Sequence, residues 1–153
     1  MKYLKLIGFI ILVAFVGIQL VPTALNKSEV DLTTDISEIE NTSENIQILL
    51  SESCYDCHSN NTNYPWYIKI QPVAWFLEDH IKVGKAELNF NEWATYSSRR
   101  KRSKLKSIIS QVEKDEMPLS SYTLIHREAK LTKSDKELIV RWANQRLDSI
   151  NNN

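Results

Sequence analysis

Two cysteines and a histidine stand close enough together in this chain to hold one cofactor. The sequence Cys54-Tyr55-Asp56-Cys57-His58 has the C-x-x-C-H spacing of a c-type haem attachment site. On a helical turn, thiols at i and i+3 project from one side, so each can add to one haem vinyl group while the next histidine reaches the iron. The motif therefore predicts one covalently bound haem c, with His58 as an axial ligand.

The second axial ligand decides what such a haem can do. Met117 is the one methionine in a position to bind the iron, because the other, Met1, lies at the start of the chain. Methionine is the usual partner of histidine in cytochromes c, where it raises the reduction potential. We therefore predict Met117 as the second ligand, with His80 as its rival. His126 is predicted to be a hydrogen-bonding or surface residue.

Two other chemistries could use the same residues. A thioredoxin-like dithiol at Cys54 and Cys57 needs a preceding strand and a βαβ context, whereas helices are predicted on both sides of the motif. A structural zinc site would add two of the histidines His58, His80 and His126, but the sequence has no second tight pair of ligands. Haem attachment is the favoured interpretation.

The start of the chain has the pattern of a targeting segment. Lys2 and Lys5 precede an apolar run from Leu6 to Val21, which is the layout of an export signal or a signal anchor. Pro22-Thr23-Ala24 makes a poor cleavage site, so we predict an uncleaved transmembrane anchor over residues 1–25. The remaining residues are then expected on the extracytoplasmic, periplasmic side of the inner membrane.

The charged residues are unevenly distributed although the formal net charge is +0. Residues 29–52 contain acidic side chains without a lysine or arginine, and residues 99–106 are strongly basic. Both are interpreted as solvated surfaces, with docking of a charged redox partner as the alternative. Nucleic-acid binding is not expected, because it normally requires a marked basic excess.

The periodicity of apolar residues predicts an all-α domain over residues 43–150, joined to the anchor by an acidic linker over residues 26–42. Four helices are predicted. The first carries Ile46, Leu49, Leu50 and continues through the cysteines; the second runs from Pro72 to Gly84; the third carries Leu105, Ile108, Ile109 and Val112; the last begins at Thr132 and carries Leu138, Ile139, Trp142 and Ala143. The aromatic residues Trp66, Tyr67, Trp75, Phe76, Trp93 and Trp142 are predicted to wall off the haem from water.

The sequence also resembles a known family, the bacterial haem-binding domain proteins, which are small single-haem c-type proteins. The segments that carry the resemblance are SCYDCHSNNTNYPWY at 53–67, IQPVAWFLEDH at 70–80, GKAELNFNEW at 84–93 and EMPLSSYTLIHREAKLT at 116–132. The resemblance implies covalent haem on Cys54 and Cys57, axial His58, and a cytochrome c-like helical fold in which the first and last helices pack together.

Two functions are consistent with these residues. If His58 and Met117 occupy both axial positions, the protein is a one-electron carrier between redox proteins and not an enzyme. If Met117 is not bound, the iron is open to a small ligand, as in a haem sensor or a peroxidase-type protein.

Overall fold

The computed structural model describes residues 1–28, 32–40 and 42–152. Over these ranges the chain is helical, and its β-structure is limited to an isolated bridge between Lys27 and Asn61. The predicted all-α fold is confirmed.

Eight α-helices occur in the described ranges, joined by short 3-10 turns. The helices are α1 (Lys2–Ile18), α2 (Ile36–Ile39), α3 (Glu44–Ser53), α4 (Tyr55–His58), α5 (Val73–Glu87), α6 (Ser98–Glu113), α7 (Ser120–Thr123) and α8 (Lys133–Asn152). The 3-10 turns are Leu32–Thr34, Trp66–Lys69, Phe90–Thr95 and Arg127–Ala129.

The N-terminal helix is shorter than the sequence predicted. α1 spans 17 residues and buries none of them. It ends at Ile18 because the next residue, Gln19, turns onto the domain, donating to the carbonyl of Gln71 at 3.1 Å and accepting from its N–H at 2.9 Å. In the part of the chain described, no helix has both the length and the apolar character that crossing a membrane requires. The transmembrane anchor predicted over residues 1–25 is therefore not shown by the structure.

The acidic stretch that was predicted as a linker is partly buried. Asp35 is 1% exposed and Ile36 is fully buried. The carboxylate of Asp35 accepts hydrogen bonds from the Tyr55 hydroxyl at 2.7 Å and the Asn91 side chain at 2.6 Å. A buried carboxylate is tolerated when its oxygens are hydrogen-bonded. Asp35 and Ile36 thus belong to the domain core, whereas Leu32 and Ile39 of the same stretch are exposed.

The core lies between α3, α6 and α8, where α3 contacts α8 and α6 runs along α8. The contact between α3 and α8 agrees with the packing that the family resemblance implied. The apolar faces predicted for these helices are buried, as shown by Ile46, Leu50, Leu105, Val112, Ile139, Trp142 and Ala143. The start of α8 is also as predicted, because Thr132 Oγ1 accepts from the Asp135 N–H while Asp135 accepts from the Thr132 N–H.

The aromatic residues do not form the continuous wall that the sequence suggested. Trp93 and Trp142 are buried, but Trp66 is 75% exposed and Phe76 is 56% exposed. Trp75 is exposed as well. Aromatic content alone did not distinguish the side chains that pack in the core from those on the surface of the 3-10 turn and α5.

Candidate cofactor site

The two cysteines and the histidine of the motif lie on one short turn, α4. α3 ends at Ser53 and the backbone bends at Cys54, with φ −131° and ψ −41°, so the turn is separate from the helix predicted to continue through it. The N–H groups of Cys57 and His58 both donate to the Cys54 carbonyl, at 3.2 and 3.0 Å. One turn of backbone therefore fixes the spacing of all three side chains.

α5 packs directly on this turn at a glycine. A Cβ placed on Gly84 would lie 3.0 Å from the carbonyl oxygen of Cys57 and 3.2 Å from its Cβ. These distances are shorter than most real Cβ contacts, so a side chain at this position would push against Cys57, and glycine lets the helix come this close. Gly84 was predicted to end the second helix, but α5 continues to Glu87. The glycine is present for close packing and not for termination.

Two adjoining cavities of about 320 and 340 Å³ flank the turn. They share the lining residues Ser53, Cys54, His58, Glu87 and Met117. Three of the predicted site residues thus face both cavities. Cys57 and His80 line the second cavity.

The hydrogen bonding of His58 leaves one ring nitrogen for a metal. Nδ1 lies 3.0 Å from the carbonyl oxygen of Leu88. Because a carbonyl can only accept, Nδ1 carries the hydrogen and Nε2 keeps its lone pair. Burial lowers the pKa of His58 more than the backbone groups of Leu88 and Gly84 raise it, which favours the neutral imidazole that binds metals. A partner that orients a ligating histidine in this way is common at metal centres.

The thiols are uncharged at neutral pH. Desolvation raises the pKa of Cys54 to about 12, with a further contribution from Cys57, and raises the pKa of Cys57 to about 11, with a contribution from Asp56. A redox-active dithiol has the opposite shift. The described residues also contain no group of three His, Cys, Asp or Glu side chains able to hold a metal ion. Neither the dithiol nor the zinc interpretation is supported.

The two residues between the cysteines hold the turn in place from both sides. Tyr55 stacks on Phe90, with ring centroids 5.0 Å apart, and donates to Asp35. Asp56 accepts from the Tyr122 hydroxyl at 2.6 Å. Sequence reasoning missed these partners, because they lie 20 and 66 residues away and no local pattern links them.

Met117 lies in the loop between α6 and α7, and several hydrogen bonds hold this loop. The N–H groups of Glu116 and Met117 donate to the Gln111 carbonyl at 2.9 and 3.2 Å. On the other side of Met117, the bond from Tyr122 to Asp56 joins the loop region to α4. The half-buried Met117 side chain is thereby kept at the cavities.

The other two histidines have different surroundings. His80 Nδ1 donates to the Phe76 carbonyl of its own helix at 2.8 Å, and its ring lies 4.2 Å from that of Phe76. His126 Nε2 is 2.7 Å from the Tyr67 hydroxyl and Nδ1 is 3.2 Å from Glu128. Both nitrogens of His126 are engaged and it lines neither cavity, which confirms its predicted hydrogen-bonding role.

The arrangement fits a largely apolar cofactor that contains a metal. Each cavity falls within the size range of small-molecule sites, and together they offer an apolar space beside the free Nε2 of His58. Two thiols, those of Cys54 and Cys57, lie on the same turn as His58. Such a donor set can hold a metallated ring by one nitrogen and attach its edge through sulfur.

A comparison with protein families finds a match. The family described as Haem-binding domain matches residues 13–145, a range that includes the whole of the site described above. No curated protein and no solved structure is significantly similar to the chain.

Proposed function

The chain belongs to the haem-binding domain family and binds haem, and from this premise we propose that it is a c-type cytochrome that carries one electron at a time. In this proposal His58 would hold the iron through Nε2, and Cys54 and Cys57 would hold a single haem through two thioether bonds. A bound haem supplies the one-electron chemistry of its iron.

One observation carries this proposal. The hydrogen bond from His58 to Leu88 leaves Nε2 as the free ring nitrogen beside two cavities, on the same turn as both thiols. A histidine with a merely structural role would have no need of that apolar space. The close contact at Gly84 supports the same conclusion, because it keeps α5 against the backbone of the attachment turn.

We propose Met117 as the second axial ligand. It lines both cavities, whereas His80 lines one and makes its ring hydrogen bond within its own helix. The bonds to Gln111 and between Tyr122 and Asp56 limit how far the Met117 loop can move. If His58 and Met117 both held the iron, no axial site would be left for a substrate, which favours electron transfer as the function.

We also propose that the domain works outside the cytoplasm. Lys2 and Lys5 are followed by an apolar helix with no buried residue, which supports its role as an export signal. Attachment of haem to a C-x-x-C-H motif is expected in that compartment.

Absorption and paramagnetic resonance spectra of the exported protein in both oxidation states test the proposal. We expect low-spin iron in both states and a weak thioether-to-iron band in the oxidised state. High-spin iron would favour the alternative of a sensor or peroxidase-type protein. A colourless protein would contradict haem attachment.

A further inference from the structure

The polar residues around the two cavities are unevenly distributed. Asp56 and Asp79 line the second cavity alone, and no lysine or arginine accompanies them there. Lys104, Ser107 and Gln111 line the first cavity alone, and Glu87 lines both cavities. Of the described residues that line either cavity, Lys104 is the one lysine or arginine. The electrostatic environment therefore differs between the two sides of the attachment turn.

Three polar residues that line the first cavity alone belong to one helix face. Lys104, Ser107 and Gln111 follow one another at i, i+3 and i+7 on α6, so they form a row along the cavity. The rest of the lining is mainly apolar and includes Leu88 and Phe90. A polar row beside an apolar wall suits a ligand that is apolar over most of its surface and polar at one edge.

Lys104 is held at this edge by a weak interaction. Its ammonium group lies 3.4 Å from Glu87, and the two side chains are 21% and 75% exposed. An ion pair with so exposed a partner contributes little to stability. Glu87 can therefore turn toward solvent while the less exposed Lys104 stays at the cavity.

We infer that Lys104 binds a carboxylate of the haem, with Ser107 and Gln111 as neighbouring hydrogen-bonding groups. The inference rests on the proposed function, because it places the haem at these cavities. The two haem carboxylates lie at one edge of the ring, and a partly buried carboxylate needs a cation or hydrogen-bond donors. The acidic side of the second cavity would repel them, so the carboxylate edge faces α6.

A binding experiment tests this inference with a variant in which both Cys54 and Cys57 are serine, so that binding is reversible. The ligands are haemin and haemin dimethyl ester, which lacks the free carboxylates. With Lys104 present, we expect haemin to bind more tightly than the diester by about tenfold or more, the range for a hydrogen bond to a charged group. Lys104→Met should remove most of that preference and leave the affinity for the diester unchanged.

Lys106→Met is the matched control, because Lys106 is exposed on the same helix and lines neither cavity. It should keep the preference for haemin. Equal preferences in the Lys104→Met and Lys106→Met proteins, or an equal loss of affinity for both ligands in Lys104→Met, would overturn the inference. His58→Ala in the same background tests the site separately: it should weaken both ligands, and unchanged affinity would refute the proposed haem position itself.

A second measurement does not depend on the serine variant. In the exported protein with covalent haem, the resonance Raman bending mode of the haem carboxylates should shift in Lys104→Met and not in Lys106→Met. The axial-ligand bands should stay the same in both. An unshifted carboxylate mode in Lys104→Met would count against the inference.

Discussion

The attachment turn and the Met117 loop lie on the same cavities but are built differently. The turn is held by its close contact with α5 at Gly84, by the hydrogen bond between His58 and the Leu88 carbonyl, and by the hydrogen bond from Tyr55 to Asp35. The loop is held by the N–H groups of Glu116 and Met117, which donate to the Gln111 carbonyl. A further hydrogen bond runs from the Tyr122 hydroxyl to Asp56. The comparison indicates that His58, the proposed first axial ligand, is fixed mainly by packing of its turn, whereas Met117, the proposed second ligand, depends on a few hydrogen bonds that a single substitution can weaken.

The largest effect is expected at the attachment turn, for a substitution of His58. His58→Ala removes the Nε2 that the Leu88 hydrogen bond orients, so the exported protein should lose most of its haem, as measured by the ratio of haem absorbance to protein. His126→Ala is the matched control, because His126 lines neither cavity and should leave that ratio unchanged. Equal haem content in all three proteins would show that the turn does not supply an axial ligand.

The next effect is expected at the loop. Met117→Ala should keep covalent haem, because the thiols are untouched, but convert the iron to high spin and lower the reduction potential. His80→Ala should leave both the spectrum and the potential nearly unchanged. If the two variants exchange these outcomes, His80 is the ligand and the assignment of the loop is wrong.

A smaller effect tests the packing that fixes the turn. Gly84→Ala places a methyl group against backbone atoms of Cys57 that cannot turn aside, so we expect a loss of about 1 to 2 kcal/mol of unfolding free energy even after the gain in helix propensity. Gly17→Ala is the control, because nothing lies within 4 Å of its Cβ position. Denaturant unfolding of the holo-proteins provides the measurement, and a Gly84→Ala protein as stable as the control would contradict close packing.

The smallest effect is expected for the hydrogen bond between Tyr122 and Asp56, which helps to hold the Met117 loop. Tyr122→Phe removes the hydrogen bond to Asp56. It should destabilise the loop conformation that keeps Met117 at the cavities by about 1 to 2 kcal/mol. We expect a partial high-spin population that grows on warming, with covalent haem retained. Tyr67→Phe, which loses only the bond to His126, should keep the wild-type spectrum. A Tyr122→Phe spectrum that matches the wild type at all temperatures would mean that this bond does not hold Met117 in place.

Local patterns predicted much of the fold. Leu105 and Val112 on α6, and Ile139 and Trp142 on α8, are buried as their helical spacing indicates. The spacing of the motif likewise predicted that its side chains share one turn. These features depend on residues that are close together in the sequence, so local sequence patterns predict them.

Features that depend on distant partners could not be predicted in this way. Asp35 looked like part of a solvated acidic stretch, but Tyr55 and Asn91, both far along the chain, satisfy it in the core. Gly84 has the same sequence signal whether it ends a helix or allows a close approach. The carbonyl of Leu88 has no side-chain identity, so nothing in the sequence marks it as the partner of His58.

The mass of the denatured, exported protein tests the central claim most directly. We predict a mass equal to the polypeptide plus one haem, with the added mass on the peptide that contains Cys54 and Cys57, and its loss or marked reduction in Cys57→Ser. A wild-type polypeptide that retains no haem mass after denaturation would contradict covalent attachment at this turn.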